Sequence, residues 1–239
     1  MLIDSKFYYT HLFFPLLIFI YLAGLLEVTR ADLILADWLF RLEGNNWILR
    51  DNFWFSDVFH SGGQTFFYLV VGLLIAALFA SYRINSIRPY RRALLYLALA
   101  VPVSVALFTN GLKHFTHVDC PWDLVRYGGD KPFLDLFAQH PGNYSFGSCF
   151  PAGHSSIGYS LLSLYFFFLV VAPRWRFYGL ACGIIMGIFF GVSQQLRGAH
   201  FISHDLWTAA ACWFISLGWY LFLFRETFVR SSSIQEIRH

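Results

Sequence analysis

Six long apolar stretches, separated by polar connections, dominate the pattern of hydrophobic and polar residues along this chain. Each is close to the roughly 20 residues that an α-helix needs to cross about 30 Å of hydrocarbon. The pattern therefore predicts an all-α bundle of six transmembrane helices, over approximately residues 8–28, 63–82, 93–112, 156–172, 178–197 and 206–224. Because glycine punctuates helices, we expect Gly62 and Gly63 to break the chain just before the second helix.

The connections between these stretches differ in their basic residues, and the difference predicts the orientation of the chain. Arginines crowd the second connection, the fourth connection and the C-terminal tail, whereas 29–62, 113–155 and 198–205 are longer or less densely basic. Cytoplasmic loops are enriched in Lys and Arg, so we place both termini in the cytoplasm and these three connections outside. The first apolar stretch is too long for a cleaved signal peptide and is expected to remain as a span.

The first outer connection contains a segment with apolar residues at helical spacing between charges, which predicts a short amphipathic helix. Two interpretations stay open: an interfacial helix lying on the outer leaflet, or a helix packed on the bundle. Its apolar face would be formed by Leu33, Leu35, Trp38, Leu39 and Leu42. Because no soluble stretch is long enough to fold separately, residues 1–239 are expected to form a single domain with an active-site core over roughly 60–225.

The amino-acid composition agrees with the predicted bundle of transmembrane helices. The chain is 57% hydrophobic and only 13% charged, about half the usual charged fraction, which excludes an ordinary soluble domain. Its formal net charge of +3 is small and gives no indication of a nucleic-acid partner. We therefore expect the bilayer itself, and no nucleic acid or obligate protein partner, as the environment of this chain.

Ionisable residues gather at one edge of the predicted membrane region, in the stretch Gln194–Trp207. Arg197, His200, His204 and Asp205 lie there within nine residues. Charged groups next to lipid are costly, so a cluster of them is by default a hypothesis for a functional site.

Two further polar stretches, around Lys113 and around His154, fall on the same predicted side. With the first cluster they offer two fixed cations, imidazoles and a carboxylate, and the Pro151–His154 turn stands before a helix whose N–H groups favour an anion. This inventory is typical of phosphoryl transfer, in which cations and N–H groups stabilise the equatorial oxygens and histidine acts as nucleophile or acid. No glycine-rich nucleotide loop is present, so nucleotide binding is not supported.

The three stretches resemble the type 2 phosphatidic acid phosphatase family, the integral-membrane lipid phosphatases related to vanadium haloperoxidases. That family carries the motifs K-x6-R-P, P-S-G-H and S-R-x5-H-x3-D in this order. Lys113 with Cys120-Pro121 matches the first motif except for Cys in place of Arg, and Pro151-Ala152-Gly153-His154 matches the second except for Ala in place of Ser. The third aligns through Ser193, Gly198 and His200, with Gln194 at the Arg position and His204 at the Asp position.

The resemblance implies a role for each matching residue, and it implies neither a metal nor a cofactor. His200 would attack phosphorus and form a phosphohistidine, and His154 would protonate the leaving group. Either Asp205, one residue beyond the aligned position, or His204, by alignment, would orient His200. The phosphate would be bound by Lys113, Arg197 and the N–H of Gly153, with Ser155 replacing the missing serine hydroxyl and Arg126 covering the missing arginine.

The cysteine that departs from the first motif has a neighbour in the second. Cys149 lies just before the Pro151–His154 turn, and the resemblance brings both motifs to one phosphate outside the cytoplasm, where disulfides persist. We therefore expect a Cys120–Cys149 disulfide. His11 and His60, by contrast, stand near span ends, where an imidazole tip is expected to reach towards the interface.

The resemblance implies a phosphatase acting on an envelope lipid at the periplasmic face of a bacterial inner membrane. Lipid A, undecaprenyl diphosphate and phosphatidylglycerol phosphate are the candidate substrates, with a preference for lipid A. Two alternatives stay open. A metal-dependent membrane hydrolase would use His200 and His204 as ligands, and a non-catalytic binder or transporter would hold an anionic lipid with the same basic groups.

Overall fold

The computed structural model of the chain describes residues 5–134 and 147–236, and at 108–110, 113, 114 and 225–236 it describes the backbone alone. Long helices joined by short helical turns make up most of this part of the chain. We number them α1 to α7 in chain order: Ser5–Thr29, Ala31–Leu42, Trp54–Arg83, Arg91–Ala106, Gly153–Val171, Pro173–Leu196 and Ile202–Glu236.

Helices α1, α3, α5, α6 and the Ile202–Phe224 part of α7 are long and apolar enough to cross a membrane. The chain is therefore an integral membrane protein. These five helices correspond to five of the six predicted spans. The remaining predicted span, 93–112, coincides with α4, a regular helix of 16 residues that continues as a π-helix over Leu107–Leu112 and does not belong to this set.

The predicted break at Gly62 and Gly63 is wrong. A π-helical segment, Trp54–Ser61, runs directly into the α-helix that begins at Gly62, so α3 begins eight residues earlier than the first glycine. Packing explains the second glycine: a Cβ at Gly63 would lie 2.8 Å from the ring of Phe190 on α6. This position needs a small residue because two helices approach each other, and the chain does not turn there.

Large aromatic residues fill the core between α4, α5 and α7. Tyr96, Phe166 and Tyr220 are almost completely buried, and the Tyr96 hydroxyl donates a hydrogen bond of 3.2 Å to the carbonyl of Ser216. This cluster fixes the relative positions of α5 and α7, whose N-terminal ends carry predicted site residues.

Helix α6 approaches its neighbours closely along a stripe of glycines at every fourth residue. A Cβ at Gly183 would lie 2.5 Å from the backbone nitrogen of Leu162, and one at Gly187 would lie 2.1 Å from the ring of Tyr159. Small residues at this spacing allow membrane helices to pack with their backbones in contact. The stripe continues to Gly191, which lies at the site described below.

Helix α2 forms where the amphipathic segment was predicted. Its buried residues, Ala36 and Leu39, belong to a cluster with Trp47, Tyr127 and Phe201, so one face packs on the bundle. The predicted apolar face is only partly correct, because Trp38 and Leu42 are 52% and 64% exposed. These two side chains are directed away from the protein, where an interfacial helix would meet lipid.

Candidate active site

The segment between α6 and α7 brings the predicted nucleophile and its neighbour together. Helix α6 ends at Leu196, Gly198 turns the chain with φ = +67°, and α7 begins at Ile202. Gly198 has no room for a side chain, since a Cβ there would lie 2.5 Å from the indole of Trp47. The turn leaves His200 just before α7 and His204 in its first turn, both buried.

The two imidazoles contact each other. The Nδ1 atoms of His200 and His204 lie 3.4 Å apart, slightly farther than in a typical hydrogen bond. One ring must donate and the other accept, so this contact fixes complementary tautomers. If Nδ1–H of His200 donates, its Nε2 keeps the lone pair that a nucleophile needs.

Asp205 has a different partner. Gln195 on α6 donates a hydrogen bond of 2.5 Å from Nε2 to Oδ2 of Asp205, and the carboxylate occupies the space that a Cβ at Gly191 would fill. The carboxylate is buried. Of the two candidates for orienting His200, His204 therefore has the direct contact that the structure describes.

The second motif packs directly on the beginning of α7. The Thr208 hydroxyl donates to the carbonyl of His204 at 2.7 Å and accepts from the N–H of Ala152 at 3.1 Å. The ring of Phe150 meets that of His204 edge-on, with centroids 5.2 Å apart. Two sequence motifs about 50 residues apart are thus held together through one hydroxyl that the sequence analysis did not single out.

Helix α5 begins at Gly153, so that Gly153 and His154 form its first turn. The helix itself leaves the N–H of Gly153 without a carbonyl partner, as at every helix N-terminus. Ser155 is fully buried and donates a 3.1 Å hydrogen bond to the carbonyl of Ala152. This backbone contact gives no support to its predicted contact with phosphate, and that role stays a prediction.

Arg197 lies in the same turn between α6 and α7, three residues before His200. Its Nε donates to the carbonyl of Arg50 at 2.9 Å, and its Nη1 donates to Oε1 of Gln194 at 3.1 Å. Gln194, which occupies the arginine position of the family motif, thus supports the arginine three residues later. Burial lowers the pKa of Arg197 from its ordinary value, yet arginine stays cationic in proteins.

Arg126 is placed differently from the expectation. It forms an ion pair with Asp37 on α2, and the Tyr127 hydroxyl donates to the same carboxylate at 2.9 Å. The Arg126 side chain is 51% exposed. Its described partner is a carboxylate, so the predicted contact with phosphate remains a prediction. For Lys113 the structure describes the backbone alone, at the start of the short helix Lys113–Thr116.

The two ends of the 113–155 connection are tied together. The structure joins Cys120 and Cys149 in a disulfide with a Cα–Cα distance of 5.2 Å, within the usual range. The N–H of Cys149 also donates to the carbonyl of Val118 at 2.9 Å, and the Thr116 hydroxyl donates to the carbonyl of Phe150. Residues 135–146 lie outside the described part of this connection.

Two residues of the N-terminal part of the chain reach the site, and the sequence analysis missed both. Asp32 on α2 accepts hydrogen bonds from the N–H and hydroxyl of Ser203, at 2.9 and 2.5 Å, at the start of α7. His60 stacks on His154, with ring centroids 3.7 Å apart and an angle of 24° between the planes. The sequence analysis considered His60 only as an imidazole that reaches towards the interface, and it did not predict this contact. Its only sequence signal was its position on the outer side of the predicted membrane region.

Buried histidines, a partly buried arginine and a helix N-terminus together form an arrangement that suits phosphoryl transfer in a membrane protein. The model of the PAP2 superfamily matches residues 90–228, over half of the chain, and the chain belongs to this superfamily. Its members are metal-independent phosphatases that hydrolyse phosphate esters, and this chain is such an enzyme. Neither the curated proteins nor the solved structures give a match to the chain.

Proposed function

We propose that this protein hydrolyses a phosphate monoester or diphosphate of an envelope lipid at the periplasmic face of a bacterial inner membrane, through a phosphohistidine on His200. The family and the membrane-spanning helices agree with a phosphatase for lipid phosphates. The observation that carries the proposal is the Thr208 hydroxyl, which bonds to both Ala152 and His204. It holds the histidine proposed as acid on the same side of the bundle as the histidine proposed as nucleophile.

The first half of the reaction forms a bond between nitrogen and phosphorus. Nε2 of His200 attacks phosphorus as the bond from phosphorus to the leaving oxygen breaks, and His154 gives that oxygen its proton. Arg197, Lys113 and the N–H of Gly153 would stabilise the charge on the three remaining oxygens. The 3.4 Å contact supports Nε2 as the attacking atom, because Nδ1 of His200 faces His204.

The second half returns the enzyme to its starting state. The neutral imidazole of His154 takes a proton from water, whose oxygen attacks phosphorus as the bond to Nε2 of His200 breaks. Phosphate leaves and both histidines regain their first protonation states. His204 would accept the Nδ1–H of His200 throughout, and so hold the ring in the attacking tautomer.

A cavity of about 350 Å³ beside His204 supports a lipid substrate. Its wall is formed by the outer end of α1, α2, the 113–155 connection and the beginning of α7, and includes Leu26, Phe133 and Trp207. Most of this lining is apolar, which suits the hydrocarbon part of a lipid whose phosphate lies at the histidines.

Phosphate release from purified protein tests this proposal. We expect release from micelles of at least one of lipid A, undecaprenyl diphosphate and phosphatidylglycerol phosphate, unchanged by a chelator, with transient labelling of His200 by phosphate. Loss of activity with chelator would favour the metal-dependent hydrolase. Tight binding of these lipids without release would favour the non-catalytic binder.

Accessibility of introduced cysteines tests the proposed orientation. In cells, a membrane-impermeant thiol reagent should label a cysteine near Asp130 from outside, and should label one within Arg88–Arg92 only after the cytoplasmic side is opened. Labelling of both positions from the same side would overturn the proposed topology. Replacing Cys182 and Cys212 beforehand removes the two free thiols.

A further inference from the structure

A second imidazole lies flat against the predicted acid. The rings of His60 and His154 stack with centroids 3.7 Å apart and an angle of 24° between their planes. His60 belongs to α3, and residue 60 lies outside the matched residues 90–228. The motifs of the family therefore give no role to His60.

The segment that carries His60 is fixed on α6 at both sides of this residue. Phe59 meets Phe189 edge-on with ring centroids 5.1 Å apart, and Gly63 lies against the ring of Phe190. The segment Trp54–Ser61 is wound as a π-helix, a rare conformation that is common at functional sites. Because both flanks are packed, the ring of His60 forms a rigid surface for the ring of His154.

A general acid must keep its proton directed at the leaving oxygen. The χ2 torsion of histidine has broad minima, so an imidazole at a helix N-terminus can rotate unless a neighbour restricts it. A parallel ring at stacking distance removes much of this freedom, because rotation would drive one ring into the other. Small misorientations of a catalytic group can lower the rate about 100-fold.

We propose that His60 is a positioning residue that holds the His154 imidazole in the orientation for protonating the leaving group. This inference rests on the proposed role of His154 as the acid. It requires a flat ring at position 60 and no proton transfer by His60 itself. Phenylalanine at position 60 should therefore still hold the His154 ring in place, whereas alanine and glutamine should not.

Two substrates that differ only in their leaving group test the inference. One is a dodecyl phosphate, whose alkoxide must be protonated, and the other is a nitrophenyl phosphate with the same chain, whose phenolate leaves without help. We expect His60→Ala and His60→Gln to lower kcat/KM, which reports only the first half of the reaction, about 30-fold for the alkyl ester, which is less than the roughly 100-fold or more that a general acid contributes. The aryl ester should lose less than about threefold, and His60→Phe should stay near the wild type on both.

His11→Ala is the matched control. His11 is also a histidine within a span, but it stacks on Phe7 and bonds to the Tyr165 hydroxyl at 2.8 Å, so the ratio of the two rates should not change. Equal losses on both esters in His60→Gln, or a loss in His60→Phe as large as that in His60→Ala, would overturn the positioning role. So would unchanged rates in all three variants.

His154→Ala separates this inference from the proposed function. If the loss of rate in this variant is the same for the alkyl and the aryl ester, His154 is not the acid. The inference about His60 then fails as well. If His154→Ala shows the dependence on the leaving group while His60→Ala and His60→Gln do not, only the inference about His60 fails. Should His60→Ala not fold, the comparison of His60→Gln with His60→Phe decides.

Discussion

The part of the chain that matches the family model, residues 90–228, and the part before it contribute different groups to the site. The matched part carries the histidines and the arginine of the proposed chemistry. The preceding part contacts these residues or their neighbours. Asp32 accepts hydrogen bonds from Ser203, the carbonyl of Arg50 accepts one from Arg197, and the ring of His60 stacks on that of His154.

The two parts differ in how strictly the residue type at each position is restricted. A nucleophile or a phosphate-binding cation acts through its own atoms, so its residue type is restricted. A group that holds another residue acts through shape or one hydrogen bond, which several residue types can supply. Substitutions in the matched part should therefore stop the reaction, and substitutions in the preceding part should slow or misdirect it.

The largest effect is expected for the proposed nucleophile. His200→Ala removes the nitrogen that bonds to phosphorus, and should lower kcat for phosphate release by about four orders of magnitude or more. His154→Ala should keep slow turnover and still form a phosphohistidine from a substrate with a good leaving group. Phosphate release close to the wild-type rate in His200→Ala would refute the assignment.

The second prediction concerns how much the disulfide within the matched part stabilises the folded protein. The Cys120–Cys149 disulfide closes a connection with a sequence separation of 29 residues. Its removal in the Cys120→Ser/Cys149→Ser double variant should lower the free energy of unfolding by roughly 3–4 kcal/mol, on the loop-entropy estimate. Thermal unfolding in detergent measures the change, with Cys182→Ser as the matched control.

Peptide mapping without reductant gives an independent check of the same bond. Peptides that contain Cys120 and Cys149 should be recovered as one linked species from protein isolated from the membrane. Free thiols at both positions would contradict the disulfide.

The third prediction compares the two neighbours of His200. His204 contacts its Nδ1, whereas Asp205 is bound by Gln195. His204→Phe keeps a ring in the buried site and removes the acceptor, and should lower kcat about 100-fold or more, by analogy with loss of an orienting group in a catalytic triad. Asp205→Asn should cost much less, because the amide oxygen still accepts from Gln195.

The reverse ranking of these two variants would transfer the orienting role to Asp205. The KM of each variant for the same lipid substrate gives the control, since an orienting residue affects kcat far more than binding. A joint fall in kcat and thermal stability for either variant would indicate a packing defect.

The sequence predicted those features of the fold and of the site that depend on short patterns of residues. Apolar runs of membrane length predicted five of the described helices, and the motifs around His154 and His200 predicted two parts of one site. Cys120 and Cys149 were paired because one lies in the first motif and the other just before the second. Each of these signals is a pattern of residue types within a short stretch of the sequence.

The rest depends on pairs of residues that are distant in sequence, and no local pattern encodes them. Asp32 meets Ser203 and His60 meets His154 only after the helices have packed, so each looked like an ordinary residue near a span end. Gly62 and Gly63 illustrate the opposite error. They were interpreted as a break, but Gly63 allows close packing on Phe190 inside a continuous helix.

The fourth prediction tests the tie between the preceding part and α7. Asp32 accepts two hydrogen bonds at the beginning of α7, so Asp32→Ala should lower the free energy of unfolding by about 1 kcal/mol, as loss of a helix cap does. Asp32→Asn keeps an acceptor and serves as the matched variant. Thermal unfolding of both variants at neutral pH gives the comparison.

The pH dependence of stability should also distinguish these variants. Burial raises the pKa of Asp32 above its ordinary value of 3.8, although the bonds from Ser203 partly oppose this. The folded state therefore holds the proton more tightly than the unfolded state, and the contribution of Asp32 to stability falls as the pH rises from about 3.8 through the raised pKa. Asp32→Asn should remove this fall, and an unchanged pH profile would contradict the cause.

The smallest effect is expected for the Arg126–Asp37 ion pair, which lies half exposed between the two parts of the chain. Arg126 lowers the pKa of Asp37 through its hydrogen bonds, but an exposed pair contributes only about 0.2–1 kcal/mol to folding. Arg126→Ala and Asp37→Asn should therefore lower stability slightly and equally. If Arg126 serves only this pair, both variants should leave KM for the lipid substrate unchanged. A higher KM in Arg126→Ala alone would restore the phosphate-binding role expected from the sequence, because Asp37→Asn removes the pair and keeps the cation.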